Sequence, residues 1–126
     1  AVNIKNAFPI NIGLDFEITT FKSYNNQQVL LECIAELKEF FNITKWQINQ
    51  PIIINEASNL IGNVEGVISV QKFEVINLNG EEKGYSQYKY DLGGATRSGV
   101  IYPSLDPSIF EVKYPDLDIK GRVTTY

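Results

Sequence analysis

The chain has 126 residues and a formal net charge of -4 at pH 7, which suits one domain with a single ordinary core and makes two domains unlikely on size alone. It contains one Cys and no His, which excludes an internal disulfide, a Cys/His zinc site and any nucleophilic pair that depends on His. The acidic balance and the scattered Lys and Arg residues argue against nucleic-acid binding. The apolar runs are far shorter than the roughly 20 residues of a membrane span, so we expect no membrane contact.

Alternating apolar side chains predict a half-buried strand from Ile10 to Ile18. Asn25 is placed to cap a following helix, whose apolar stripe runs from Val29 to Phe41. Cys33 lies within that stripe, where a free Cys behaves as a small buried hydrophobe. The first third of the chain is therefore predicted to be a strand followed by an amphipathic helix.

A second helix is predicted with Asn55 as its N-cap and Gly66 as its stop. The chain then extends from Val67 to Leu78, and a change in its apolar phase indicates a bulge near Gln71 and Lys72. The buried stripe of the second helix is expected to contain Ala57, Leu60, Ile61 and Val64.

The turn dipeptide Asn79-Gly80 predicts a hairpin whose returning strand carries Tyr88 and Tyr90. The order of elements predicts one α+β domain, a two-layer sandwich with a small, mainly antiparallel sheet, two helices on one face and an irregular C-terminal β arm. We expect residues 1–9 to be an N-terminal arm, 10–92 the core, and 93–126 a C-terminal loop with edge strands.

Candidates for chemistry are few. Asp15 and Glu17 share one face of the first strand, but carboxylates on a polar strand face are more often solubilising than catalytic. Asp116 and Asp118 lack the further oxygen ligands that a divalent cation needs. The glycine-rich segment 93–99 lacks the Lys-Ser/Thr ending of a phosphate-binding loop. We therefore expect no catalytic site, no cofactor and no metal.

Large apolar side chains recur in segments that should be peripheral. Tyr suits interfaces because its apolar ring ends in a group that tolerates water. The competing interpretation is that these side chains close the edge of their own domain. A second alternative is a small carbohydrate-binding module that stacks sugars on tyrosines, and a third is an acid-pair hydrolase. The predicted interface residues are Phe8, Tyr88, Tyr90, Tyr102, Ile109, Phe110 and Tyr114.

Three segments that together span nearly the whole chain carry a family resemblance. They are NIGLDFEITTFKSYNNQQVLLECIAELKEFFNITKWQINQPI, then NLIGNVEGVISVQKFEVINL, and the tail GVIYPSLDPSIFEVKYPDLDIKGRV. With these features the chain resembles the C-terminal part of the T-even-type phage baseplate wedge proteins, within the broader baseplate J-like family.

The resemblance implies a structural role without a catalytic residue, metal or cofactor. In such proteins this region pairs as dimers and joins neighbouring wedges into a ring around the tail hub, which changes shape when the sheath contracts. The expected partners are a second copy of the chain and other baseplate wedge proteins, with no small-molecule substrate. The expected location is the virion baseplate, after assembly in the host cytoplasm. Because family members are several times longer, we expect the chain to be one domain of a longer protein.

Overall fold

The computed structural model describes residues 7–104 and 107–124. Within these ranges the chain forms helices and strands in the mixed α+β arrangement that was predicted. The helices are α1 (Asn26–Phe40), α2 (Ile54–Gly62) and α3 (Pro115–Asp118). The strands are β1 (Phe8–Thr20), β2 (Ile52–Ile53), β3 (Val67–Asn77), β4 (Thr96–Arg97), β5 (Val100–Ile101), β6 (Ser108–Glu111) and β7 (Ile119–Val123).

The main sheet is built around β1. Strand β3 pairs with it in antiparallel orientation, whereas β6 and β7 pair with it in parallel. A smaller sheet has the order β2-β5-β4, with both pairings antiparallel. Helix α1 packs on β7, α2 packs on β3, and the two helices contact each other. They therefore form one layer over the main sheet, as the two-layer prediction requires.

Strand β1 follows the predicted alternation only from Leu14 to Ile18, where Asp15 and Glu17 are partly exposed; Asn11 and Gly13 are buried, so the prediction of a half-buried strand is wrong for its first part. The apolar side chains of the strand are almost completely buried: Ile10, Ile12, Leu14, Phe16 and Ile18. The strand begins at Phe8 and Ala7 is already buried. The expected boundary of the N-terminal arm at residue 9 is therefore wrong, because Phe8 and Pro9 pair with β6. Residues 1–6 lie outside the described ranges.

Helix α1 begins as predicted, because the side chain of Asn25 accepts a hydrogen bond from the backbone N–H of Gln28 at 3.1 Å. The helix buries Val29, Cys33 and Leu37. Burial raises the pKa of the Cys33 thiol to about 11, with smaller contributions from nearby glutamates. The prediction that Cys33 acts as a buried hydrophobe is thus confirmed.

Helix α2 starts and stops earlier than predicted. Ile53 is its N-cap residue and makes no side-chain capping bond, so the predicted cap at Asn55 is wrong. The helix ends at Gly62, and Gly66 instead turns the chain into β3 with a positive φ of 100°. A Cβ atom on Gly66 would lie 2.8 Å from Val29 Cγ2, so this turn also requires a residue without a side chain. Of the predicted stripe, Ala57 and Ile61 are buried.

Strand β3 contains the predicted bulge. Glu17 of β1 pairs with Lys72 and the next residue, Ile18, pairs with Val70, so Gln71 is the extra residue. An extra residue on one strand shifts the alternation of its side chains. This shift is the physical origin of the change in apolar phase read from the sequence.

The predicted strand through Tyr88 and Tyr90 is wrong, because residues 85–90 form no strand. The loop closes on itself after a 3-10 turn at Glu81–Lys83, with Tyr85 N–H donating to Gly80 O at 3.1 Å. Beyond it, side chains hold the backbone: Ser86 N–H donates to Asn11 Oδ1 at 2.7 Å. Asn and Ser side chains commonly compete with strand pairing in this way.

The C-terminal segment is part of the main core. Strand β6 pairs with Phe8–Asn11 and β7 with Leu14–Ile18, so this segment contributes two strands to the main sheet. Between them, Pro115 starts α3, which suits a residue without a backbone N–H. Buried side chains of this segment include Ile109, Phe110, Val112 and Ile119. In the described ranges, no helix is both long and apolar enough to cross a membrane.

Candidate functional site

Two of the predicted interface residues belong to the protein's own core. Ile109 and Phe110 are only 4% and 2% exposed. Phe110 lies opposite Ile10 in the pairing of β6 with β1. Both side chains are therefore unavailable for contact with another protein, because their segment completes the main sheet instead of forming a detached arm.

The remaining predicted residues divide among three places. Phe8 is 51% exposed and its ring stacks on Tyr88 with centroids 5.6 Å apart. Tyr114 is half-buried, and its hydroxyl donates to Gly84 O at 3.0 Å. Tyr90 donates to the backbone oxygen of Tyr102 at 2.6 Å. The structure therefore brings Phe8 next to Tyr88 and Tyr90 next to Tyr102. Tyr114 instead binds the loop that contains Gly84.

The Tyr90 and Tyr102 pair lines an open groove of about 940 Å³. Tyr102 is 46% exposed there. Asp91 is fixed by the backbone N–H of Gly94, which donates to Oδ1 at 3.0 Å. Arg97 is exposed and makes no ion pair with the described part of the chain. The other lining residues are Asn49, Ala95, Pro103 and Ser104.

The acid pair of β1 lies on the face of the main sheet away from the helices. Arg122 on β7 forms ion pairs with both Asp15 and Glu17, and Lys72 on β3 lies 3.6 Å from Asp15. Neither carboxylate lines the groove at Tyr90 and Tyr102 or a second groove, which lies beside Phe21 and Tyr24. These carboxylates belong to a charged network that spans β1, β3 and β7. This arrangement lacks the opposed carboxylates of a hydrolytic cleft.

The two aspartates of the Asp-Leu-Asp segment do not converge. Asp116 is exposed and forms an ion pair with Lys38 at 2.5 Å. Asp118 is buried, and the hydroxyl of Tyr85 donates a bifurcated hydrogen bond to its two carboxylate oxygens, at 2.8 and 2.9 Å. Burial, and then this hydrogen bond, raise the pKa of Tyr85 to about 12. Across residues 7–104 and 107–124, no cluster of three or more potential metal-binding side chains is found.

The outer edge of β3 has no strand partner among the described residues, in which β3 pairs only with β1. We call it the open edge of β3. Val70, Phe73 and Val75 on β3 are only partly buried, whereas their β1 partners Ile18, Phe16 and Leu14 are fully buried. The core is therefore uncovered along this side. The sequence analysis missed this surface, although the aliphatic and aromatic content of residues 67–77 is its signal.

The second groove, of about 760 Å³, lies at the C-terminal end of β1. It exposes Phe21, Tyr24 and Ile68. Tyr24 is held by its hydroxyl, which donates to Glu65 at 3.0 Å. Sequence reasoning also missed this groove, because the aromatic residues follow the predicted strand without forming a periodic pattern.

No protein-family model matches the chain, and a search of curated proteins finds no match either.

Proposed function

We propose that the chain is a structural assembly domain that associates with a second copy of itself. The observation that carries this proposal is the open edge of β3, where Val70, Phe73 and Val75 leave one side of the core partly exposed. An unprotected sheet edge offers backbone donors and acceptors to another strand, and apolar side chains gain by leaving water. A protein partner satisfies both requirements.

The proposed setting is the baseplate wedge of a contractile-tail phage, in the virion. This part of the proposal rests on the resemblance of the three sequence segments to the T-even-type wedge proteins. The role is architectural: self-association and contact with other wedge proteins, without catalysis, cofactor or small-molecule substrate. The ion-paired carboxylates of β1 agree with such a role.

Sedimentation velocity over a range of protein concentrations tests self-association. We expect a monomer at low concentration and a dimer as the concentration rises. A chain that remains a monomer up to about millimolar concentration, where even weak complexes form, would contradict the proposal.

Immunoelectron microscopy tests the proposed setting. Antibodies raised against this chain should label the baseplate end of contractile-tail particles from the same source. Labelling of the head or the sheath, or of cellular material without tails, would contradict a baseplate role while leaving self-association intact.

The groove at Tyr90 and Tyr102 favours a second candidate function, carbohydrate binding. It is concave and combines an exposed aromatic ring with the polar side chains of Asp91, Arg97 and Asn49, as ligand sites commonly do. Titration of soluble oligosaccharides monitored by NMR should then perturb this groove in the native chain and fail with Tyr102→Ala. Phe21→Ala, in the other groove, is the matched control. Failure of a broad glycan panel to bind would remove this candidate.

A further inference from the structure

We infer that two copies of the chain join along β3 in antiparallel pairing centred on Phe73, so that their main sheets become one continuous sheet. This inference rests on the proposed self-association and specifies its surface and register. The occupant of the open edge is thus a second copy of this chain. A two-fold axis would pass beside Phe73, because an edge that pairs with itself must follow the symmetry of a dimer.

The bulge limits which residues can pair regularly. Gln71 is the extra residue of β3 relative to β1, so side-chain alternation is interrupted there. From Lys72 to Asn77 the strand is uninterrupted, since these residues pair with successive residues of β1. This six-residue stretch is the part of the edge best able to form a regular ladder with a neighbour.

Charge selects the register within that stretch. With Phe73 opposite itself, Lys72 of each copy faces Glu74 of the other, which gives two opposite-charge pairs across the two strands. If the centre moved to Lys72, two lysines would meet, and if it moved to Glu74, two glutamates would meet. Like charges directly opposite each other destabilise a strand pair. Lys72 and Glu74 therefore favour the register centred on Phe73 and disfavour the two registers that are shifted from it by one residue.

The apolar side chains support the same arrangement. Phe73 lies opposite Phe16 of β1 and packs against the core while remaining partly exposed. In the proposed pairing the two Phe73 rings meet on the helix-covered face and close the exposed side of both cores. Lys72 and Glu74 lie on the other face, where their charged groups are already 3.7 Å apart within one chain and stay accessible to water.

Two charge-reversal variants test the pairing. Lys72→Glu alone should place two carboxylates opposite each other at both sites of the dimer, and Glu74→Lys alone should do the same with two ammonium groups. We expect each variant alone to dimerise roughly ten-fold or more weakly than the native chain. An equimolar mixture of the two variants restores opposite charges at both sites, so it should form heterodimers with an affinity near that of the native chain.

The mixture separates pairing from folding, because a variant that merely unfolds cannot be rescued by another copy. The control pair is Lys38→Glu and Asp116→Lys, which reverses an ion pair between α1 and α3 and should leave dimerisation unchanged alone or mixed. Single Lys72 and Glu74 variants that dimerise like the native chain would overturn the pairing while self-association stands. A mixture of the Lys72→Glu and Glu74→Lys variants that stays monomeric would also overturn the pairing. A native chain that never dimerises would remove both proposals.

Discussion

Buried polar side chains at one end of the main sheet are satisfied by one another and by loop backbone. Asn11 is almost completely buried, and its Nδ2 donates to Glu111 Oε1 at 2.8 Å. Asn77 Oδ1 accepts the backbone N–H of Tyr90 at 3.0 Å. The side chains of Asn11 and Asn77 thus bind the backbone of a loop, at the place where the sequence pattern predicted a strand. Because buried polar groups are costly when unpaired, these contacts fix the path of the loop.

The hydroxyl of Tyr85 makes a further polar contact, to the buried carboxylate of Asp118. At pH 7, Tyr85→Phe should lower the free energy of unfolding by about 1.5–3 kcal/mol, because the buried Asp118 carboxylate loses the hydroxyl that donates to both of its oxygens. Urea denaturation measures this change. Tyr102→Phe, which alters an exposed ring, is the control and should change stability by less than about 0.5 kcal/mol.

The raised pKa of Tyr85 predicts that the protein loses stability at alkaline pH. Burial raises the pKa of Tyr85 from 10.0 to about 12 in the folded protein, so between these values the unfolded chain binds fewer protons than the folded one. The contribution of Tyr85 to the free energy of unfolding is therefore fully present below pH 10 and is lost as the pH rises through 12. In urea denaturation across this range, Tyr85→Phe should show a shallower decline than the native chain. Equal slopes would show that Tyr85 does not govern the alkaline transition.

At the scale of elements, the helix caps show how local chemistry is overridden by packing. Asn25 caps α1 through a hydrogen bond, whereas Asn55, which offers the same chemistry, lies inside α2. The difference lies in the preceding residues, because Ile52 and Ile53 form β2 and the helix starts directly after them. The sequence marks both residues as candidate caps, but it does not show the strand pairing of Ile52 and Ile53 that places the start of the second helix before Asn55.

Asn25→Ala should therefore lower the free energy of unfolding by about 1 kcal/mol, the usual value of a lost N-cap. Asn55→Ala is the matched control and should leave stability nearly unchanged or raise it slightly, because Ala is favoured inside helices. Thermal and urea unfolding of both variants measure the difference. Equal losses would contradict the assignment of α2's start at Ile54.

The elements that could be predicted share a strong local signal. The alternation of β1, the apolar stripe of α1 and the phase change at Gln71 are all visible within one segment. The pairing of β6 and β7 with β1 joins residues about a hundred positions apart, and no local period reports it. The open edge of β3 was missed for the same reason. Tyr90 and Tyr102 were predicted as surface residues, but the groove that they line together could not be predicted, since it depends on how distant segments pack.

At the scale of the whole molecule, one core contains residues from the first and the last described segments. Ala7 and Ile119 belong to the same buried cluster. The sequence analysis divided the chain into a core up to residue 92 and a following arm, because Gly and Pro residues recur in the connection. In the structure that arm supplies both parallel strands of the main sheet.

The fold therefore predicts a sharp contrast between two large apolar side chains of the C-terminal segment. Phe110→Ala should lower the free energy of unfolding by about 3–5 kcal/mol, because it leaves a cavity beside β1. Leu117→Ala, at a position that is 67% exposed, should change it by less than about 0.5 kcal/mol. Urea denaturation at a concentration where the chain is monomeric measures both without a contribution from self-association. Small and equal changes would mean that residues 108–123 form a detachable arm, and the open side of the core would then lie at β1 as well as at β3.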